Sequence, residues 1–217
     1  MSMAKQVGAA FRNLLFSEPK GKYPLEEDSF PKDKSGKPDL SLYKKPLADY
    51  IAMYEASMAE IPKRELSPDR ANLAWRQRVY AVWGFTAKGT EAIPYLLTLV
   101  RHKNPGARED SAFLLGELKR SEGIADVLTD QLEKETDLVA KTSFILALGS
   151  LRYKQAIPTL ARLIFDNRTD PDHRIDAVDS LDKIAKTSFS KSSDPVGAAT
   201  EWLKASGHAK REDMTHP

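Results

Sequence analysis

The sequence has no cysteine. That absence removes disulfides, iron–sulfur clusters, thiolate zinc sites and a cysteine nucleophile, and it fits a reducing, cytoplasmic setting. No apolar run approaches the ~18 residues of a membrane span. An excess of one charge is missing too: 33 lysines and arginines face 31 acids, a formal net charge of +2. Nothing in that balance draws the whole chain towards nucleic acid or an anionic membrane. Histidine is scarce. Its four positions, His102, His173, His208 and His216, form no cluster with metal-ligand spacing, so neither a metal nor another cofactor is expected. Ser35-Gly36-Lys37 lacks the upstream glycine of a phosphate loop and is set aside. No stretch alternates with the period of a strand.

What is present falls into segments. Residues 1–16 place Val7, Ala10, Phe11, Leu14 and Leu15 on one helical face, with Lys5 and Arg12 as the charges. They lack the continuous apolar stretch and cleavage site of a secretory signal and read as a short amphipathic helix that docks on the domain or a partner. Residues 17–46 hold five prolines, seven lysines and six acids. They read as a flexible arm without regular structure, because such a segment buries too little to offset its ordering entropy. Residues 47–206 read as a helical domain and 207–217 as a frayed tail. The domain opens with Leu47, Tyr50, Ile51, Tyr54 and Met58 at helical spacing, ended by Pro62. Ser67-Pro68 then has the form of a helix start.

The domain repeats itself. With Gly84, Gly116, Gly149 and Asp182 in register, at intervals of 32 or 33 residues, three further positions align. Twelve residues earlier stand Asn72, Asn104, Asp137 and Asp170; eight earlier, Arg76, Arg108, Lys141 and Arg174; one earlier, Trp83, Leu115, Leu148 and Leu181. The Asx residues predict N-caps. The glycine predicts a close backbone approach or a bend. Second helices are predicted to start at Ile93-Pro94, Ile124-Ala125 and Ile157-Pro158. The units run over about 72–103, 104–136, 137–169 and 170–206. The last is degenerate and followed by a helix at Pro195–Ala205, as a polar capping unit would be.

Stretches such as Leu114-Leu115-Gly116-Glu117-Leu118 and Ala156-Ile157-Pro158-Thr159-Leu160 resemble the short HEAT-like repeats first named from phycobilisome lyases, over roughly Asn72 to Lys186. The resemblance implies an all-α fold, a right-handed α-solenoid of about four helix pairs with terminal capping helices. It says little about function, since such repeats serve adaptors, enzymes and nucleic-acid binders alike. The His-Glu pairs of the di-iron members are absent. The aromatic and carboxylate constellation of a HEAT-like DNA glycosylase is not recognisable, and no catalytic residue is assigned.

The expected function is therefore that of a non-enzymatic protein-binding adaptor, scaffold or assembly factor, with nucleic acid disfavoured as a partner. The alternative is an enzyme or enzyme-assisting subunit acting on nucleic acid or on a bound cofactor. The aligned bases read as a structural ladder between units rather than a phosphate track. In these solenoids the second helices line the concave side. Counting +2, +5 and +9 from each starting isoleucine gives the candidate partner face: Tyr95, Thr98 and His102; Asp126, Thr129 and Glu133; Thr159, Arg162 and Asp166. Tyr95 is its one aromatic anchor.

Overall fold

Asx residues stand at the helix starts because their short side chains reach back-exposed N–H groups. In the computed structural model, which describes residues 39–60, 68–118 and 123–208, three of the four aligned Asx positions do so. The carboxamide of Asn104 accepts from the Gly106 N–H at 2.9 Å. The carboxylate of Asp137 accepts from Val139 and Ala140, and that of Asp170 accepts from Asp172. The fourth differs. The first long helix runs Pro68–Lys88, so Asn72 lies inside it and is no cap; Pro68 supplies the pre-set φ of a first turn.

Among the described residues every regular element is helical. The order is α1 (Leu47–Glu60), α2 (Pro68–Lys88), α3 (Ile93–Leu99), α4 (Pro105–Glu117), α5 (Ile124–Leu132), α6 (Leu138–Leu151), α7 (Ile157–Phe165), α8 (Pro171–Ala185) and α9 (Pro195–Ala205), with short 3-10 turns between some of them. Helices α3, α5 and α7 begin at the three isoleucines named from the sequence. No described helix is long and apolar enough to cross a membrane. The chain divides into two compact units between Tyr95 and Leu96.

In the N-terminal unit α1 packs along α2. The core is aromatic: Tyr50, Tyr54 and Phe85 are fully buried, and the Tyr54 and Phe85 rings meet edge-on at 5.6 Å. A Cβ at Gly84 would run into the Tyr50 ring, so this glycine is what lets the ring lie against the α2 backbone. The end of the arm departs from expectation. Leu40–Leu42 is a 3-10 turn capped by Asp39, and Tyr43 is 3% exposed. Residues 1–38 lie outside the described residues.

In the C-terminal unit the long helices stack in order, α4 on α6 and α6 on α8, with α5 and α7 each packed on the long helix that follows. Leu115, Ile145, Leu148 and Leu160 are fully buried. The register glycines sit where one long helix meets the next. A Cβ at Gly116 would stand 2.8 Å from the Ala147 Cα, and one at Gly149 would stand 2.8 Å from the Ser180 Cα. Both contacted residues lie two before the next register position. Polar side chains fill the same seam: the Ser180 hydroxyl donates to the Ile145 carbonyl at 2.8 Å, and Thr142 donates to Asp176 at 3.1 Å. Buried hydroxyls and carboxylates are tolerated there because they are hydrogen-bonded.

Asp182 shows why the last register position is not glycine. Its carboxylate accepts from the Thr187 hydroxyl and from the Phe189 and Ser190 N–H groups, tying the turn after α8 to the helix. Burial pushes this carboxyl up, but the hydrogen bonds from Ser190, Thr187 and Phe189 outweigh it and hold it below its ordinary value. In α9, Ala199 and Leu203 are buried, while Val196 and Trp202 are half-buried. The expected tail begins with structure: Gly207 takes φ 73°, the His208 N–H donates to the Leu203 carbonyl, and the His208 ring stacks on Trp202. Residues 209–217 are not described.

Candidate functional site

The +9 positions do not sit on helices. α3 ends at Leu99, α5 at Leu132 and α7 at Phe165, so His102, Glu133 and Asp166 fall just past the helix ends. Short second helices of seven to nine residues carry the +2 and +5 positions only. Each second helix therefore offers its candidates on helix surface plus the turn that follows.

Tyr95, in the N-terminal unit, closes the aromatic core there. It is half-buried, its hydroxyl donates to Glu55 Oε1 at 2.6 Å, and its ring lies 5.4 Å from Phe85 and 6.4 Å from Tyr54. Burial, then the bond to Glu55, pushes its hydroxyl well above the ordinary range. Thr98 is exposed. His102 shapes the turn into α4: its Nδ1 accepts from the Asn104 N–H at 3.1 Å.

The other six lie together in the C-terminal unit, and most are tied to one another or to near neighbours. Glu133 accepts from Arg162 Nη2 and from the Thr159 hydroxyl at 3.3 Å. Arg162 Nη2 also donates to Thr159 Oγ1 at 3.0 Å. Thr159 is 7% exposed, so it does not present itself on an open face as its position in the count suggested; it supports Arg162 from beneath. Asp126 is exposed and accepts from the Tyr153 hydroxyl, a bond that pushes the phenol up. Thr129 turns inwards and donates to its own helix at the Ala125 carbonyl. Asp166 is gripped by the fork of Arg168, at 3.0 and 3.1 Å. Tyr153 and Arg168 were missed from the sequence because they lie in loops, where no helical count applies.

The aligned bases have a different use. Arg108 forms a fork with Glu135 at 2.6 and 2.7 Å and donates to the His102 and Lys103 carbonyls. Its partner is almost fully buried, with 1% of the side chain exposed. Burial pushes Glu135 up, but the bond from Arg108, then the Asp137 and Thr136 N–H groups, hold it below its ordinary value. Arg174 Nε donates to the Ile164 carbonyl at 3.1 Å. Lys141 borders an open depression of about 590 Å³ with Leu138, Asp166, Arg168, Asp170 and His173, where charges of both signs meet. Among the described residues no group of three or more histidines and acids is placed to hold a metal ion. No family model, curated protein or solved structure matches the chain.

Proposed function

We propose that this chain is a non-enzymatic, cytoplasmic adaptor, scaffold or assembly factor of the HEAT-like kind, a right-handed α-solenoid of helix pairs with capping helices, and that it binds a protein partner through the face of α5 and α7. The carrying observation is the disposition of charge. Arg108 and Arg174 direct donors into the fold, whereas the exposed face carries both signs in fixed pairs, Glu133 with Arg162 and Asp166 with Arg168. A nucleic-acid track needs unpaired bases along a groove. A protein partner is suited by a mixed-charge surface whose side chains are already ordered, because less rotamer entropy is lost on binding. The seam contacts at matching offsets, Gly116 to Ala147 and Gly149 to Ser180, support the repeat reading.

The test uses the full chain as bait in native lysate, with bound proteins identified by mass spectrometry and affinity then measured on the purified pair. Arg162→Glu combined with Asp126→Arg is expected to weaken that affinity at least tenfold while leaving the thermal midpoint within a few degrees. Unchanged affinity would move the partner elsewhere on the molecule. Salt-sensitive binding of random-sequence DNA or RNA at physiological ionic strength would replace the protein reading with a nucleic-acid one.

A further inference from the structure

Residues 39–46 bury one side chain against the N-terminal unit. Of the eight, only Tyr43 is buried; Leu40, Ser41, Leu42, Lys44, Lys45 and Pro46 are exposed. Leu40 and Leu42 are 39% and 50% exposed, although both are large and apolar. Tyr43 has φ −83° and ψ 70°, and the Lys44 N–H donates to the Leu42 carbonyl at 3.0 Å. This is an inverse γ-turn, and it turns the tyrosine inwards while the leucines on one side and the lysines on the other stay outside. The Tyr43 ring packs on Tyr80 at 4.9 Å, and Tyr80 in turn lies 5.9 Å from Tyr50. Two further ties follow, from the Lys45 N–H to the Tyr50 hydroxyl at 3.2 Å and from the Asp49 N–H to the Pro46 carbonyl at 3.0 Å.

The anchor is flawed in a specific way. The Tyr43 hydroxyl is buried and has no hydrogen-bond partner. A phenol in that position loses its hydration without replacement, a penalty that vanishes when the segment lifts off. Holding eight residues in place costs backbone entropy that a single buried ring must offset. Segments with few buried contacts open locally, well below the free energy of global unfolding.

We infer that residues 39–46 form a single-anchor strap that opens while the α1–α2 pair stays folded, and that Tyr43 is the built-in occupant of an aromatic slot beside Tyr50 and Tyr80. Opening releases the Tyr43 ring beside the already exposed Leu40 and Leu42 and uncovers the Tyr80 ring. The inference concerns the N-terminal unit and stands apart from the proposed partner face on α5 and α7.

Amide hydrogen exchange on the full chain tests it, comparing the wild type with Tyr43→Phe and Tyr43→Ala. In the wild type, the Tyr43 and Lys45 amides are expected to exchange at least a hundredfold faster than those of Tyr54 and Phe85. Tyr43→Phe keeps the ring and removes the orphan hydroxyl, so it should slow the strap amides roughly fivefold to tenfold. Tyr43→Ala should bring them to the unprotected rate and leave Tyr54 and Phe85 protected. Strap amides that exchange together with Tyr54 and Phe85 would overturn the inference, as would loss of α1 and α2 protection in Tyr43→Ala. Exchange unchanged or faster in Tyr43→Phe would overturn it too, by showing that the hydroxyl is satisfied.

Discussion

The two units use the same register glycine for different purposes. In the N-terminal unit, Gly84 makes room for a ring, and the core around it is built from Tyr50, Tyr54 and Phe85. In the C-terminal unit, Gly116 and Gly149 make room for the backbone of the next long helix, and the seam is filled with alanine and with serine, threonine and aspartate whose polar groups form hydrogen bonds there. A missing Cβ lets something approach the helix, but the sequence around the glycine decides what. Broad aromatic faces hold a helix pair together by apolar area. Small faces bring two backbones close and depend on hydrogen bonds to satisfy what they bury.

Truncating the core should unfold either unit, and this is the largest effect. Leu148→Ala in the C-terminal unit is expected to cost ~2–5 kcal/mol and Phe85→Ala in the N-terminal unit ~3–5 kcal/mol by urea denaturation. An effect near zero at either position would mean that its helix is not packed as described.

The glycines sharpen the comparison. Alanine favours a helix over glycine by up to ~1 kcal/mol, yet Gly149→Ala should destabilise by ~1–3 kcal/mol through overpacking, because Ser180 backbone cannot step aside. Gly84→Ala should cost a similar amount for a different reason, and the difference is measurable. In the background Tyr50→Ala the clash is gone, so adding Gly84→Ala should cost nothing further. Additive costs would show that Gly84 does not serve the ring.

The units should also fail at opposite ends of the pH scale. Glu135 and Asp182, both in the C-terminal unit, have folded values held below the ordinary 4.5 and 3.8. Their contribution is complete above those values and is lost as pH falls through the depressed folded ones. Tyr43 and Tyr95, in the N-terminal unit, are pushed above the ordinary 10.0, in each case first by burial. Their contribution is complete below that value and is lost as pH rises beyond it. Urea midpoints measured on acid and alkaline arms should show Glu135→Gln and Asp182→Asn flattening the acid arm, and Tyr43→Phe flattening the alkaline one. Tyr153 also rises, but it is held from the surface by Asp126, and its share should be small.

The smallest effects come from backbone conformation. Arg152 and Lys186 take φ of 53° and 60° at helix ends, where a Cβ is unfavourable. Replacing either by glycine should stabilise by about 0.5–1 kcal/mol. Gly89 in the N-terminal unit has the same handedness, φ 58°, with open space around it, so Gly89→Ala should destabilise by about 1 kcal/mol on backbone grounds alone. Thermal midpoints read all three.

Much of the helical plan was legible because its causes lie within one or two turns. The caps at Asn104, Asp137 and Asp170 reach two or three residues ahead, and the buried leucines recur with the helical period. The isoleucines that open α3, α5 and α7 stand at their own boundaries for the same reason. The candidate face was harder to read, since a helical count continues past the point where a short helix stops, as it did at His102, Glu133 and Asp166. It also carries no information about what lies above a side chain, and so Thr159 was counted as open when Arg162 covers it.

By itself, then, the sequence determined which segments are helices, where three of the long ones begin and which residues face inwards, because these depend on neighbours along the chain. The tertiary structure alone decided that Arg108 meets Glu135 across 27 residues, that Gly84 faces a ring while Gly149 faces a backbone, and that Tyr43 puts one side chain of an otherwise exposed strap in the core. Each of these is settled by a partner far away in sequence, whose position follows from how the helices pack and leaves no period or local motif by which to find it.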